Sequence, residues 1–397
     1  MIPMNNVGFK QVAKNYRFKM KKNILITGGA GFIGSNFAAR LVSEGHSVKV
    51  LDSLSPQIHG ENPNTSPLYC SLDEKVEFIH GSVTSRSDWN KALDGVDTIV
   101  HLAAETGTGQ SMYEIEKYST CNINGTAILL DILANQDHGI QKIVIASSRS
   151  IYGEGKYLCE THGEVYPTSR NDHDMTSGDF EVKCPVCSSK VLLCPTDEES
   201  KIHPSSIYGI TKQVQEQMVM LSGESLSIAT VSLRFQNVYG VGQSLSNPYT
   251  GILSIFSTRI KNGNDINIFE DGLESRDFVY IDDVVESICL SIFDDNANGQ
   301  IFNVGSGVCT DVLTVANTLK NIYQSDSKIE VSGNYRLGDI RHNYADLKKI
   351  KSKIGFEPKV DFQTGMKLFT DWVNKQSVQD DLYEDSIEEM KSKGLYK

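Results

Sequence analysis

Tyr208-Gly209-Ile210-Thr211-Lys212 sets a phenol and an ammonium four residues apart, a spacing that brings both to one face of a helix. A phenol titrates at about 10 and is a poor base at neutral pH, but a neighbouring cation favours its ionised form. Such a pair can take a proton from a hydroxyl as a hydride leaves the same carbon. The oxygen needs a second partner. Ser148, just past the apolar run Lys142–Ser147, stands where open α/β sheets place ligands, and its hydroxyl could hold that oxygen; Ser147 is the neighbouring alternative.

Gly28-Gly29-Ala30-Gly31-Phe32-Ile33-Gly34 spaces glycines as GxxGxxG between a strand-like run, Asn23–Thr27, and an amphipathic run reaching Glu44. Gly28 would turn the chain, Gly31 would admit a pyrophosphate close to the backbone, and Gly34 would let helix and strand pack tightly. The helix start adds free N–H groups and a partial positive charge. Asp52 follows the next strand-like run, Ser47–Leu51, where a carboxylate accepts from an adenosine ribose and repels a 2′-phosphate. NAD is therefore expected over NADP.

Eight cysteines without a secretory framework suit a reducing compartment, and four of them fall between residues 159 and 194. Cys159-Glu160-Thr161-His162 and Cys184-Pro185-Val186-Cys187 supply two knuckles, the four ligands of a closed tetrahedral zinc site. A structural zinc at Cys159, His162, Cys184 and Cys187 is the expectation; Cys194 and His173 are spare candidates.

The elements that must position these groups are short apolar runs alternating with helical periods, which predict a doubly wound, parallel α/β sheet of the Rossmann kind. Further strands are expected at Val76–His80, Thr98–Leu102, Lys142–Ser147 and Ile228–Phe235. Ile207, Ile210, Val214, Met218 and Leu221 recur at a helical period, with Tyr208 and Lys212 beside that stripe. The expected organisation is a basic N-terminal extension over 1–21 and an NAD-binding domain over 22–240, interrupted by a Cys-rich insertion at 154–203. A smaller, mainly substrate-binding lobe follows over 241–378, with a charged tail at 379–397. The 397 residues carry a net charge of -12, which argues against nucleic acid or an anionic membrane as partner. No apolar stretch is long enough to span a bilayer and no signal peptide is apparent, so a cytoplasmic location is expected.

Taken together, Gly28–Gly34, Asp52, His101-Leu102-Ala103-Ala104, Asn122-x-x-Gly125-Thr126, Ser147–Gly153, Tyr208-x-x-x-Lys212, Arg234–Gly240 and Arg276-Asp277-Phe278 resemble the extended short-chain dehydrogenase/reductases that act on nucleotide sugars. They stand in that family's order across nearly all of residues 22–350. The resemblance implies Ser148, Tyr208 and Lys212 as the catalytic trio. It implies NAD contacts from Gly28, Gly31, Phe32, Ile33, Gly34, Asp52, Ser82, Val83, Leu102, Ala103, Ala104 and Asn122, with Tyr208 and Lys212. Asn237, Arg276 and Arg336 match positions that hold the substrate diphosphate, and Arg149 and Ser150 flank the reacting sugar. Where the family commonly carries an acid against the adenine, this chain has Gly81-Ser82-Val83. A homodimer through the Tyr208 helix and the helix before Lys142–Ser147 is also implied.

Within that family, 4,6-dehydratases carry an added Asp-Glu pair after the catalytic Thr, and 3,5-epimerising relatives a cysteine; here those positions are Arg149 and Ser150. The reaction left is 4-epimerisation through a 4-keto sugar. Leu54–Gly60, Gly109–Glu114 and Leu245–Gly251 are similar to the branch that interconverts dTDP-L-rhamnose and dTDP-6-deoxy-L-talose, which implies sugar or base contacts from Ser111, Asn247, Tyr249 and Thr250. UDP-glucose 4-epimerisation, a dehydratase or reductase of the same family, and a non-catalytic NAD-binding module are the alternatives.

Overall fold

The computed structural model describes residues 21–249 and 251–397, so residues 1–20 of the basic extension, and Thr250, lie outside the described residues. Seven strands form the central sheet: β1 (Asn23–Thr27), β2 (Ser47–Asp52), β3 (Glu77–His80), β4 (Thr98–His101), β5 (Lys142–Ser148), β6 (Ala229–Phe235) and β7 (Gln300–Val304). Their order is β7-β6-β5-β4-β1-β2-β3, every pair parallel. Alternate residues of each strand point to opposite faces. Ile24 and Ile26 join one apolar core while Leu25 joins the other, so the central strands read as nearly continuous apolar runs.

Helices cover both faces. One face carries α1 (Phe32–Ser43) and, against it, α5 (Ile281–Phe293). The other carries α2 (Arg86–Leu93), α3 (Gly125–Asn135) and α4 (Ile207–Leu226), whose Trp89, Leu129 and Val219 share a core with Leu25, Ile99 and Ile143. The apolar stripe expected on α4 lies at its outer surface: Ile210 is 43% and Leu221 70% exposed. The inner face is polar, with Thr211, Lys212, Gln215 and Glu216 buried.

A boundary at residue 240 does not separate the layers, because α5 and β7 return to the main sheet after the chain has entered the smaller lobe. That lobe contains a sheet of Asn237–Tyr239, Ser275–Tyr280 and Cys309–Asp311, joined by His342–Asn343, and a separate pair, Ile266–Ile268 with Ile329–Val331. The insertion forms a three-stranded antiparallel sheet of Gly163–Val165, Tyr157–Cys159 and Leu192–Leu193 over a small core of Tyr157, Cys159, Val165, Val182 and Cys184. Residues 379–397 fold rather than trail: α6 (Tyr383–Ser392) buries Tyr383, Ile387 and Met390 against the lobe. Among the described residues no helix is long and apolar enough to cross a membrane.

Candidate active site

The glycine turn between β1 and α1 has the geometry its spacing predicts. Gly28 holds φ +67°, and a Cβ there would stand 2.8 Å from the Ala103 nitrogen. A Cβ on Gly34 would stand 2.4 Å from the Gly28 carbonyl oxygen and 2.6 Å from the Gly29 Cα, both backbone atoms that cannot step aside. Gly31 lines the cavity and heads α1, whose first turn has no side-chain cap and no acid, leaving its N–H groups for an anion. Asp52 accepts from the Ala30 N–H at 3.0 Å and the Leu54 N–H at 2.9 Å, which orients its carboxylate at the rim of the same space. Phe32, Ile33, Ser82, Val83, Leu102, Ala103 and Ala104 line it too; the Ser82 N–H donates to Asp88 at 3.2 Å.

This cradle opens into a cavity of about 590 Å³ that also holds Ser148, Tyr208 and Lys212. Ser148 ends β5, where its Oγ accepts from the Ser150 N–H at 3.1 Å and the Ser150 hydroxyl at 2.9 Å. Tyr208 and Lys212 are presented by α4, whose N-cap Ser206 accepts from the Gly209 N–H at 3.1 Å. Burial raises the Tyr208 phenol above its ordinary range, while the Ser148 hydroxyl and the Arg149 charge pull it back. Burial also pushes the Lys212 ammonium down to about 8. Lys212 donates to Gln215 at 2.7 Å, Gln215 donates to Thr126 at 2.8 Å, and Thr126 meets His101 at 3.0 Å. The ammonium is thus fixed through three elements, β4, α3 and α4.

Arg149, Asn237, Arg276 and Arg336 line the same cavity. Arg149 Nε donates to the Asn237 side-chain oxygen at 2.8 Å. Arg276 donates to the carbonyls of Ser275 and Arg341 at 2.9 Å each and of Ile340 at 2.7 Å. Arg336 pairs with Asp339 at 2.6 Å. Among the described residues, Ser147 Oγ and both polar atoms of the Gln236 amide are buried without a hydrogen-bond partner, and both residues line the cavity.

The sequence matches the NAD dependent epimerase/dehydratase family over residues 24–173 and 188–305. The chain belongs to that family. It is 34% identical over 357 residues to the dTDP-L-rhamnose 4-epimerase of Burkholderia thailandensis, covering 89% of this chain and 96% of the relative. It is 29% identical to a putative UDP-glucose 4-epimerase of Methanocaldococcus jannaschii, covering 89% and 99%. Among solved structures it resembles the UDP-glucose 4-epimerase of Thermotoga maritima with UDP-glucose, at TM-score 0.72 and 29% identity, covering 89% and 99%.

Three site residues expected from the resemblance sit elsewhere in this epimerase/dehydratase. Asn122 is fully buried outside the cavity lining. Its side-chain oxygen accepts from the Glu105 N–H at 2.8 Å, and its amide donates to the Glu105 carbonyl at 3.1 Å and Thr211 at 2.9 Å. It braces the Glu105 loop. Ser111 Oγ donates to the Thr108 carbonyl at 2.6 Å and accepts from the Tyr208 N–H at 3.0 Å, so it steadies the start of α4, and it is not among the residues lining the cavity. Asn247 is buried and turns its oxygen onto the Tyr249 N–H at 3.0 Å, leaving Tyr249 to line the cavity.

The cavity has a wall that sequence reasoning missed. Tyr383, Ser386, Ile387 and Met390 of α6 line it, and Tyr249 hydrogen-bonds Glu389 of the same helix. Their i, i+4, i+7 apolar spacing was the available signal.

The insertion gathers its knuckles as expected. The thiols of Cys159, Cys184 and Cys187 and a ring nitrogen of His162 lie within 4.8 Å of one another. Cys194 is not in this group, and the His173 side chain is turned to solvent.

Proposed function

We propose that the chain is an NAD-dependent nucleotide-sugar 4-epimerase interconverting dTDP-L-rhamnose and dTDP-6-deoxy-L-talose. The observation that carries this reading is a single cavity joining the glycine cradle, the Ser148, Tyr208 and Lys212 group and the arginines. The 34% identity to a dTDP-L-rhamnose 4-epimerase supports the choice of sugar. The residues present fit NAD: an uncapped helix start, a close-packed glycine turn and an oriented Asp52 carboxylate.

When bound, NAD supplies a reversible hydride acceptor beside the sugar carbon. Tyr208 takes the C4 hydroxyl proton, Ser148 holds that oxygen, and the Ser148 hydroxyl and the Arg149 charge favour the phenolate against the burial that opposes it. The C4–H bond breaks to leave a 4-keto sugar. With the dinucleotide bound, the ketone could turn over in the cavity and take the hydride back on its opposite face, and Tyr208 would return the proton to the oxygen. Atoms and electrons balance within each cycle, with no co-substrate consumed. The positions after Ser148 carry Arg149 and Ser150, neither of which can act as the acid that expels water.

Supplying purified protein separately with dTDP-L-rhamnose and UDP-glucose tests the reading. Conversion of the first to its C4 epimer is expected, and Tyr208→Phe should lower turnover by about 10² to 10⁴ while NAD stays bound. Turnover of UDP-glucose alone would favour the second reading, which the solved Thermotoga maritima relative supports. A stable keto, dehydrated or reduced product would make the chain a dehydratase or reductase. NAD bound with no reaction on either sugar would leave a binding module.

Two further parts of the proposal rest on surface chemistry. The exposed stripe on α4, with Ile210 and Leu221 outermost, suits a second copy of this chain and supports a homodimer. All eight cysteines are unpaired, which suits the reducing cytoplasm. The Cys/His quartet is read as a structural zinc site outside the reaction.

A further inference from the structure

The four side chains of the insertion have the spacing of a tetrahedral metal site. Cys159 Sγ lies 3.7 Å from Cys187 Sγ and 3.6 Å from His162 Nδ1, and Cys184 Sγ lies 3.6 Å from the same nitrogen. With zinc bonds of about 2.3 Å to sulfur and 2.0 Å to nitrogen, tetrahedral edges come to roughly 3.5–3.8 Å. A disulfide would need sulfurs at about 2.05 Å. Both knuckles are tight turns: Gly163 follows His162 at φ +72°, and Ser188 follows Cys187 at φ +58°, its N–H donating to the Cys184 carbonyl at 2.9 Å. The family match passes over residues 174–187, which include Cys184 and Cys187, so a reaction shared by the family does not depend on this centre.

What the centre holds is the chain between the knuckles, and that chain grips the segment 335–341. Arg170, 4% exposed, donates to both Glu270 oxygens at 2.7 Å and to the Asp339 carbonyl at 2.9 Å. Glu181 accepts from the fully buried Arg341 at 2.6 Å, and Glu154, five residues ahead of the first knuckle, accepts from the Arg341 N–H at 2.8 Å. The Tyr335 hydroxyl bonds Asp172 at 2.7 Å and Thr176 at 2.8 Å, and its ring meets Phe180 edge-on. This gripped segment carries Arg336 into the cavity and turns the carbonyls of Ile340 and Arg341 onto the Arg276 guanidinium.

We propose that Cys159, His162, Cys184 and Cys187 bind one zinc ion, and that this zinc, by folding the insertion, positions Arg276 and Arg336 to receive the substrate's diphosphate. The claim rests on the cavity being a nucleotide-sugar site. Among the described residues none of these hydrogen bonds or ion pairs reaches Gly28–Gly34, so loss of the metal weakens nucleotide-sugar binding and leaves the dinucleotide in place.

The test uses the full chain prepared without chelator. Zinc content should be one ion per chain, and absence of zinc overturns the metal site. Binding of dTDP and UDP is then measured by calorimetry on the intact chain, on chelator-stripped chain, and on stripped chain after zinc is returned. Stripping should weaken diphosphate binding by about 10- to 100-fold, the worth of a charge-assisted hydrogen bond, and returning zinc should restore it. Bound dinucleotide should be unchanged throughout. Glu181→Ala, which leaves every metal ligand intact, should keep its zinc yet raise KM for the sugar nucleotide with kcat little altered. Diphosphate binding indifferent to zinc, or Glu181→Ala with unchanged KM, overturns the positioning role. If the zinc-loaded chain binds neither diphosphate, the nucleotide-sugar reading falls while the measured zinc still stands.

Discussion

Lys212→Met should stabilise the folded chain at neutral pH while removing its turnover. The Lys212 side chain is 2% exposed, donates to Gln215 at 2.7 Å, and is pushed by burial from an ordinary 10.5 down to about 8. At 1.36 kcal/mol per unit, holding the charge inside costs about 3 kcal/mol. In the window from about 8 to 10.5 the folded chain has released this proton and the unfolded chain has kept it, so stability rises with pH there; below about 8 the full cost is present. Methionine removes the charge but leaves the Gln215 oxygen without its donor, a loss of about 1 kcal/mol. The variant should therefore gain about 2 kcal/mol at pH 7, a gain that shrinks toward pH 10. Urea unfolding at three pH values, on protein stripped of dinucleotide so that ligand does not contribute, measures the difference. A gap between the two proteins that does not change with pH, or a variant less stable at pH 7, would refute the reasoning.

Ile387→Asp on α6 should raise KM for the sugar nucleotide by about tenfold or more, since it puts an unpartnered charge into the apolar wall beside Met390 and Tyr383; unchanged KM in steady-state assays would remove α6 from the site. If the proposed dimer forms through the outer stripe of α4, Leu221→Glu should yield monomers in sedimentation with the secondary structure intact, because Leu221 is 70% exposed there and contributes nothing to the monomer's core; an unchanged dimer would move the interface elsewhere.

The parallel sheet was legible because β1, β2, β4, β5 and β6 are short apolar runs bounded by turns, and their ends shift from expectation by a residue at most. β7 was not, since Gln300–Val304 returns to the sheet from within the irregular lobe, and no local pattern announces which sheet a five-residue strand joins. Periodicity found α4 but followed its outer face. The inner face is polar and buried because each group finds a partner: Gln215 with Thr126, Glu216 with Ser232 and Arg234. The acidic and basic residues of 379–397 hid an apolar spacing of only three residues, Tyr383, Ile387 and Met390. Asn122 and Ser111 were assigned by position in the family pattern. Whether such a side chain faces a ligand or braces a loop depends on which backbone N–H comes within reach, and spacing along the chain does not encode that.

The same distinction explains how a protein of net charge -12 can take an anionic substrate. Arg170, Arg234 and Arg341 are buried against carboxylates: Glu270, Glu216, and Glu181 with Asp271. Their charge is already neutralised, and they hold the fold together. Arg276 and Arg149 are held by neutral groups, backbone carbonyls in one case and the Asn237 amide oxygen in the other. Burial first, and then the Arg276 charge, push the Arg149 guanidinium down to about 9. Each carbonyl fixes a direction without cancelling the charge, and the two guanidinium groups repel each other, an effect that Asp339 and Glu154 offset in part at Arg149. A diphosphate received by Arg276 with Arg336, as proposed, would relieve the cost of the Arg276 charge, and its oxygens match a guanidinium fork. The distant negative charge of the surface is screened over about 8 Å in physiological salt, so it would weigh little on an anion held at contact by the proposed arginines.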